Sequence, residues 1–290
     1  MPELPEVEFA RRVLAQWTEG RTITRARVAD ARILDEGVKA PAVVRALAGR
    51  AVVSVARRGK WLRIALDDTK KARLLFSHLG MTGRWQETTV DAPELRFEKV
   101  RLDLARGAET SSLRYTDPRL FGRFVVATEE LPAWKALGPD PLIDGVDAAV
   151  LAKKLARRKK KTIKETLLDQ SVLAGIGNIQ AQEALFRAKL HPERMASDLS
   201  PREVRVLATA LLETIHATLA LTPEGETKIV YVEEAGADNP FAIYGREGEP
   251  CPRCTKALVK IVQGGRSTIF CARCQRIKDV KKIPHGDGRP

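Results

Sequence analysis

No stretch of this chain is apolar for long enough to cross a bilayer. Its most hydrophobic runs, such as Val206 to Leu212, fall far short of the ~20 residues a spanning helix needs. The opening residues carry no basic region followed by an apolar one, so no secretory leader is expected. Acidic charge is in deficit: 37 Asp and Glu face 50 Lys and Arg, a formal net charge of +13. That surplus points to a polyanionic partner, nucleic acid first and an anionic membrane surface second. Cysteine is scarce too, with four residues, all near the C-terminus. No internal repeat is visible. What remains is a chain of 290 residues, 44% hydrophobic, long enough for two domains with sizeable cores. A soluble, intracellular protein is expected, cytoplasmic and nucleoid-associated if bacterial.

The four cysteines fall as two pairs. Cys251-Pro-Arg-Cys254 and Cys271-Ala-Arg-Cys274 are separated by sixteen residues. Two-residue gaps put both sulfurs of a pair on one side of a tight turn, where the two pairs can complete a tetrahedron around zinc. The alternative, two disulfides, is one that an intracellular protein rarely keeps. With no histidine and no open position implied, one structural Zn2+ is expected rather than a catalytic ion.

Positive charge is concentrated between Lys153 and Lys164, where Lys153, Lys154, Arg157, Arg158, Lys159, Lys160, Lys161 and Lys164 crowd together. Such a run reads as a solvated basic face suited to phosphate in general.

The residues Val7, Ala10, Val13, Leu14 and Trp17 recur at helical spacing before Gly20. Short strands follow around 51–56, 62–66, 74–76, 100–104, 113–115 and 124–126, with turn residues between them. One helix and many strands suggest an N-terminal β-sandwich of residues 1–134 with the helix packed beside it. Leu137-Gly-Pro-Asp-Pro-Leu142 is a Pro/Gly break that predicts a linker over 135–146. Beyond it, helices are expected near 147–157, 162–170, 178–188 and 200–220, in a domain spanning 147–242. Ser200-Pro-Arg-Glu203 carries the signature of a capping box with Pro at the first helical position. A zinc module over 243–276 and a basic tail over 277–290 complete an α+β architecture.

The chain opens Met1-Pro2-Glu3-Leu4-Pro5-Glu6-Val7-Glu8. Removal of Met1 would leave Pro2 as a secondary amine titrating near pH ~8, partly neutral and nucleophilic at neutral pH. Such an amine condenses with a sugar aldehyde carbon to a cationic iminium, an electron sink of the Schiff-base kind. Glu3 beside it can donate or accept a proton. Read without that chemistry, Glu3 merely complements a helix N-terminus.

These and other motifs, far apart and in order, resemble the formamidopyrimidine-DNA glycosylase and endonuclease VIII family over nearly the whole chain, closer to the formamidopyrimidine branch. The start matches the family's opening, and Arg57-Arg-Gly-Lys60-Trp-Leu62 is similar to the segment bearing its active-site lysine. His78-Leu-Gly-Met81-Thr-Gly83 and Tyr115-Thr-Asp-Pro-Arg119-Leu-Phe121-Gly122 resemble the loops that fill the duplex after a base is extruded. Leu173-Ala-Gly-Ile-Gly-Asn178-Ile179, followed by Glu183-Ala-Leu-Phe186, is similar to the helix-two-turn-helix signature. Tyr244 to Cys251 and Gly265-Arg266-Ser-Thr268 resemble the zinc-finger hairpin.

The resemblance implies a β-sandwich, a helix-two-turn-helix domain and a zinc-finger hairpin. It also implies a bifunctional DNA glycosylase/AP lyase that excises oxidised bases from duplex DNA as a monomer. Pro2, Glu3 and Lys60 would be catalytic, with Glu6 orienting the N-terminus. His78, Met81, Arg119, Phe121, Lys164, Asn178 and Arg266 would contact DNA. Met81 and Phe121 would wedge into the vacated space, and Arg119 would pair with the orphaned base. Asn178, with open amides at a helix start, and Arg266 would clamp phosphates. An ordinary helix N-cap is the alternative reading of Asn178.

Several positions depart from the pattern. Leu120 stands where a basic residue is usual, Lys99 is expected to replace a phosphate-binding histidine, and Gln180 and Gln182 replace the common Tyr and Asp. Residues 222–242 resemble poorly the loop that caps a flipped purine lesion. Specificity of the endonuclease VIII kind, for oxidised pyrimidines or alkylated bases, is therefore the alternative. A catalytically silent binder of damaged DNA is another.

Overall fold

The computed structural model describes residues 2–67, 73–222 and 239–277. Met1, most of the 222–242 segment and nearly all of the basic tail lie outside these residues.

Helix α1 (Leu4–Thr18) leads into ten strands and six further helices among the described residues. The first eight strands form two four-stranded antiparallel sheets. One holds β1 (Thr22–Val28), β6 (Glu98–Arg106), β7 (Glu109–Thr116) and β5 (Arg84–Thr88), in that spatial order. The other holds β2 (Val52–Arg58), β3 (Trp61–Leu66), β4 (Arg73–His78) and β8 (Arg123–Ala127). Alternating apolar positions turn inward, so that Ile23, Leu62, Ile64, Leu75, Trp85, Leu102 and Leu113 meet in one core.

Two strands lie outside the six expected, and both are polar. In β1 only Ile23 and Ala26 are buried, amid Thr and Arg. In β5, Arg-Trp-Gln-Glu-Thr contributes only Trp85 to the core. A single inward aromatic gives too little alternation to be read as a strand. Two short helices, α2 (Ala40–Leu47) and α3 (Pro132–Lys135), also break the expected run of strands.

The second domain packs α4 (Ala148–Ala156), α5 (Ile163–Leu167), α6 (Asn178–Arg187) and α7 (Pro201–Leu219) around Leu151, Leu155, Leu167, Leu185, Leu207 and Leu211. Helix α7 starts at the expected capping box, with the Ser200 hydroxyl accepting from the Glu203 amide. A hairpin of β9 (Val259–Gln263) and β10 (Arg266–Phe270) follows. Its strands join through Gly264 and Gly265, both at positive φ.

Helix α1 belongs to both halves. Val7, Ala10, Val13 and Leu14 lie in the sandwich core, whereas Leu4 lies in the helical core. The Leu4 amide donates to the Gly175 carbonyl at 3.0 Å. The chain's first residues are therefore planted in the second domain.

The segment expected as a linker is packed in place. Asp140 is fully buried, and its carboxylate takes both ends of the Arg57 guanidinium, at 2.5 and 3.0 Å. Asp140 also accepts from the Gly59 amide at 2.7 Å, while Arg57 reaches Glu8 of α1 at 3.0 Å. One buried network thus ties α1, the β2–β3 turn and the inter-domain segment. That turn carries Lys60.

Candidate active site and nucleic-acid interface

Glu3 precedes the first turn of α1, with Pro2 buried beside it. Its side chain crosses into the second domain and occupies the N-terminus of α6. One oxygen accepts from Ile179 at 2.9 Å, and the other accepts from Gly177 at 3.1 Å and from Gln180 at 3.0 Å. These are amides that a helix leaves without partners, and a carboxylate there also complements the helix dipole. Glycine at 177 is required sterically, because a Cβ would sit 2.2 Å from the Glu3 carboxyl carbon.

Two expectations are corrected at this helix start. The amides expected to be open for phosphate are already taken by Glu3. Asn178 is not the N-cap: Gly177 holds that position, and Asn178 instead donates from Nδ2 to the Ser267 carbonyl at 3.1 Å.

Glu6 completes a capping box at α1 by accepting from the Glu3 amide at 2.7 Å, so the backbone of Glu3 is fixed at both ends. Burial pushes the Glu3 carboxyl above its ordinary value, although Lys60 and the amides of Gln180 and Ile179 oppose the shift. Lys60 is pulled below the ordinary lysine value by desolvation. Glu3 opposes this, while the Arg266 guanidinium adds to it.

A cavity of about 220 Å³ opens beside this clamp. Lys60, His78, Gln170, Gly177, Asn178 and Arg266 line it, so four of the residues singled out in the sequence converge here from three different elements and a turn. A larger groove of about 530 Å³ lies between α2 and β8, with Arg73, Glu129, Glu130 and Lys135 among its lining. It brings together none of the candidate residues. His78 accepts from the Gly80 amide at Nδ1, 3.1 Å away, which leaves Nε2 to carry the proton as a donor. Desolvation holds this imidazole down to about 4, helped by Lys60 and Arg123.

Met81 and Phe121 do not line the cavity. They stand on two exposed loops, 38% and 52% accessible, unlike core residues of their size. The loops are packed back to back, since a Cβ on Gly80 would lie 2.4 Å from the Phe121 carbonyl carbon. Arg119 lies over the Phe121 ring at 4.7 Å. Asp117, which the sequence motifs do not single out, joins the loops from full burial. It accepts from Thr82 Oγ1 at 2.5 Å, from the Arg119 amide at 3.3 Å and from the Gly122 amide at 2.8 Å. An acidic residue between Thr116 and Pro118 within the loop motif is the signal available in the sequence.

Lys164 does not stand on the solvated basic face expected of it. It is fully buried, and its ammonium donates to the Ser267 carbonyl and the Thr268 hydroxyl of the zinc hairpin. Desolvation, with Arg266 nearby, brings it down to about 8. Lys99 is corrected as well: it is buried and paired with Asp30 at 2.9 Å, which removes it from any phosphate.

The four cysteine sulfurs lie within 4.8 Å of one another. Cys251 is 4.0 Å from Cys274, and Cys254 is 3.5 Å from Cys271. Sulfurs ~2.3 Å from a tetrahedral zinc are ~3.8 Å apart, whereas a disulfide would need ~2.05 Å. The set fits one structural Zn2+. Its module is seated on α6, where Glu183 accepts from the amides of Ala242, Ile243 and Tyr244.

Residues 1–124 match the model of the formamidopyrimidine-DNA glycosylase N-terminal domain, and residues 137–229 match that of the helix-two-turn-helix domain of the same enzyme. Residues 248–277 match a zinc finger found in FPG and IleRS. The formamidopyrimidine-DNA glycosylase of Geobacillus kaustophilus is 40% identical, covering 95% of this chain and 100% of that one. This chain belongs to the formamidopyrimidine-DNA glycosylase family. Two solved structures of the Lactococcus lactis protein superimpose with TM-scores of 0.82, each covering 95% of this chain and 100% of the other. The first, 30% identical, is bound to DNA containing an abasic site. The second, a point mutant at 31% identity, is bound to DNA containing Fapy-dG. Among the described residues, no helix is long and apolar enough to cross a membrane.

Proposed function

We propose that the chain is a bifunctional DNA glycosylase/AP lyase of base excision repair, acting on oxidised purines in duplex DNA through its N-terminal proline. The observation that carries this reading is the Glu3 clamp. A buried carboxyl with a raised proton affinity is fixed next to Pro2 and bonded to Gly177, which lines the cavity bearing Lys60 and Arg266. The DNA complexes of the Lactococcus lactis relative support the substrate class.

With Met1 removed, the Pro2 amine attacks C1′ of the damaged nucleoside. The C1′–N bond to the base breaks and the base leaves with a proton. The C1′–O4′ bond opens as O4′ takes a proton, with Glu3 as donor, and the Pro2 nitrogen forms an iminium with C1′. That electron sink acidifies C2′. Loss of its proton expels the 3′ phosphate, and a second elimination expels the 5′ phosphate. Lys60, Asn178 and Arg266 hold the flanking phosphates while Met81 and Phe121 fill the gap. Arg119 then pairs with the orphaned base.

Excision from duplexes carrying 8-oxoguanine, formamidopyrimidines, thymine glycol, dihydrouracil or alkylated bases tests the reading. Release of the two oxidised purine classes is expected to lead. Release confined to thymine glycol and dihydrouracil would replace it with specificity of the endonuclease VIII kind. Tight binding with no release would make the chain a silent binder.

A further inference from the structure

Gln182 lies in α6, and its surroundings explain what an amide does there. The side chain is buried at 2% exposure and uses all of its near-side bonding capacity. Nε2 donates to the Asn178 carbonyl and to the Ser267 carbonyl, both at 3.1 Å, while Oε1 accepts from the Ile269 amide at 2.6 Å. Only an amide offers two donors and an acceptor in this arrangement; a carboxylate would present acceptors to two carbonyls, and an apolar side chain would strand the Ile269 amide.

The groups it joins are the carbonyl of one candidate phosphate clamp, Asn178, and the backbones of Ser267 and Ile269, in the strand that carries the other, Arg266. Asn178 is the first residue of α6, and Ser267 follows Arg266 in β10. Asn178 Nδ2 also donates to the Ser267 carbonyl, at 3.1 Å. A two-stranded hairpin has little stability of its own, so the direction in which Arg266 leaves β10 depends on how β10 is docked. Lys164 grips Ser267 and Thr268 from α5. Among the described residues, Gln182 is the side chain that bonds the Ile269 amide, and it bonds both the Asn178 carbonyl and the hairpin backbone. We infer that Gln182 is a positioning residue that sets the spacing between Asn178 and Arg266, so that both reach phosphates of one kinked strand. The inference rests on the DNA-repair reading above.

Gln182→Met keeps the volume and removes all three bonds, and Gln182→Glu keeps the acceptor for Ile269. For Gln182→Met, KM for a lesion duplex is expected to rise on the order of tenfold, the loss of one charge-assisted contact. The rate at saturating duplex should hold. The slope of log affinity against log salt should flatten by about 0.9, one phosphate fewer. Gln182→Glu, which turns an acceptor toward two carbonyls, should raise KM at least as far. Added to Arg266→Gln, either change should weaken binding no further, because both act on the same contact. Full additivity with Arg266→Gln, or an unchanged salt slope, would overturn the inference. If Gln182→Met fails to fold with its zinc, the same cycle with Gln182→Glu decides. Should Arg266→Gln alone leave duplex affinity and its salt slope intact, the phosphate role of Arg266 in the proposed function fails instead.

Discussion

The carboxylate of Glu3 accepts a 2.9 Å hydrogen bond from the amide of Ile179, although the two residues belong to different domains. With the bonds from Gly177 and Gln180, it makes the start of the chain the cap of a helix in the second half. Glu3→Gln replaces one acceptor oxygen by a donor facing these amides. Stability should fall by roughly 1–3 kcal/mol, the cost of a stranded amide, and ring opening, with the strand cleavage that follows it, should slow by about 10²–10⁴-fold as the proton donor to O4′ is lost. Burial raises the carboxyl above its ordinary value of 4.5, so the protonated form persists to higher pH. Strand cleavage should therefore decline as pH rises through that displaced value. A single-turnover pH profile of parent and variant checks both points.

Arg57 is held by Asp140 and Glu8 with almost no exposure. Arg57→Met would leave the buried Asp140 carboxylate without its cation in the interface, Glu8 keeping Arg11 and Arg12, and should cost about 3–5 kcal/mol. Urea unfolding measures this. Because the same network fixes Gly59 beside Lys60, cleavage should suffer as well, even where the protein remains folded.

His78 and His191 are both lowered from 6.5 to about 4, chiefly by desolvation. His191 accepts from the Glu193 amide at Nδ1 and meets the Phe270 ring edge-on, which suits a neutral imidazole. Between these two values the unfolded chain binds more protons than the folded one. The contribution of these groups is thus fully present above pH 6.5 and is lost as pH falls toward 4. The urea midpoint should drop across that window. His191→Asn, which keeps an acceptor for Glu193, should make the drop shallower. A midpoint independent of pH there would refute the assignment.

Much of this is legible in the sequence. Cys251, Cys254, Cys271 and Cys274 need only their spacing, since two-residue gaps constrain sulfur geometry locally. Val7, Val13 and Leu14 announce α1 because one strongly periodic face is enough. Polar strands such as β1 escape, since Ile23 and Ala26 alone do not establish alternation. Tertiary partners are harder still. Glycines at 175 and 177 suggest an open phosphate site, yet Leu4 and Glu3 fill that space. Lys164, placed by composition in a basic face, is buried under the zinc hairpin, because α5 turns its inner side to Ser267 and Thr268. Charge patterns report the surface on average, whereas contacts between distant segments decide individual residues.

Borohydride reduction of the protein mixed with an abasic-site duplex tests the central claim most directly. Reduction should fix the iminium as a stable amine, giving a covalent complex whose DNA maps by peptide mass to Pro2 as the first residue. Pro2→Gly should lose the strand-cleaving activity while still binding the duplex. A mapped adduct on Lys60 or another lysine, or strand cleavage with no trapped adduct, would contradict proline catalysis.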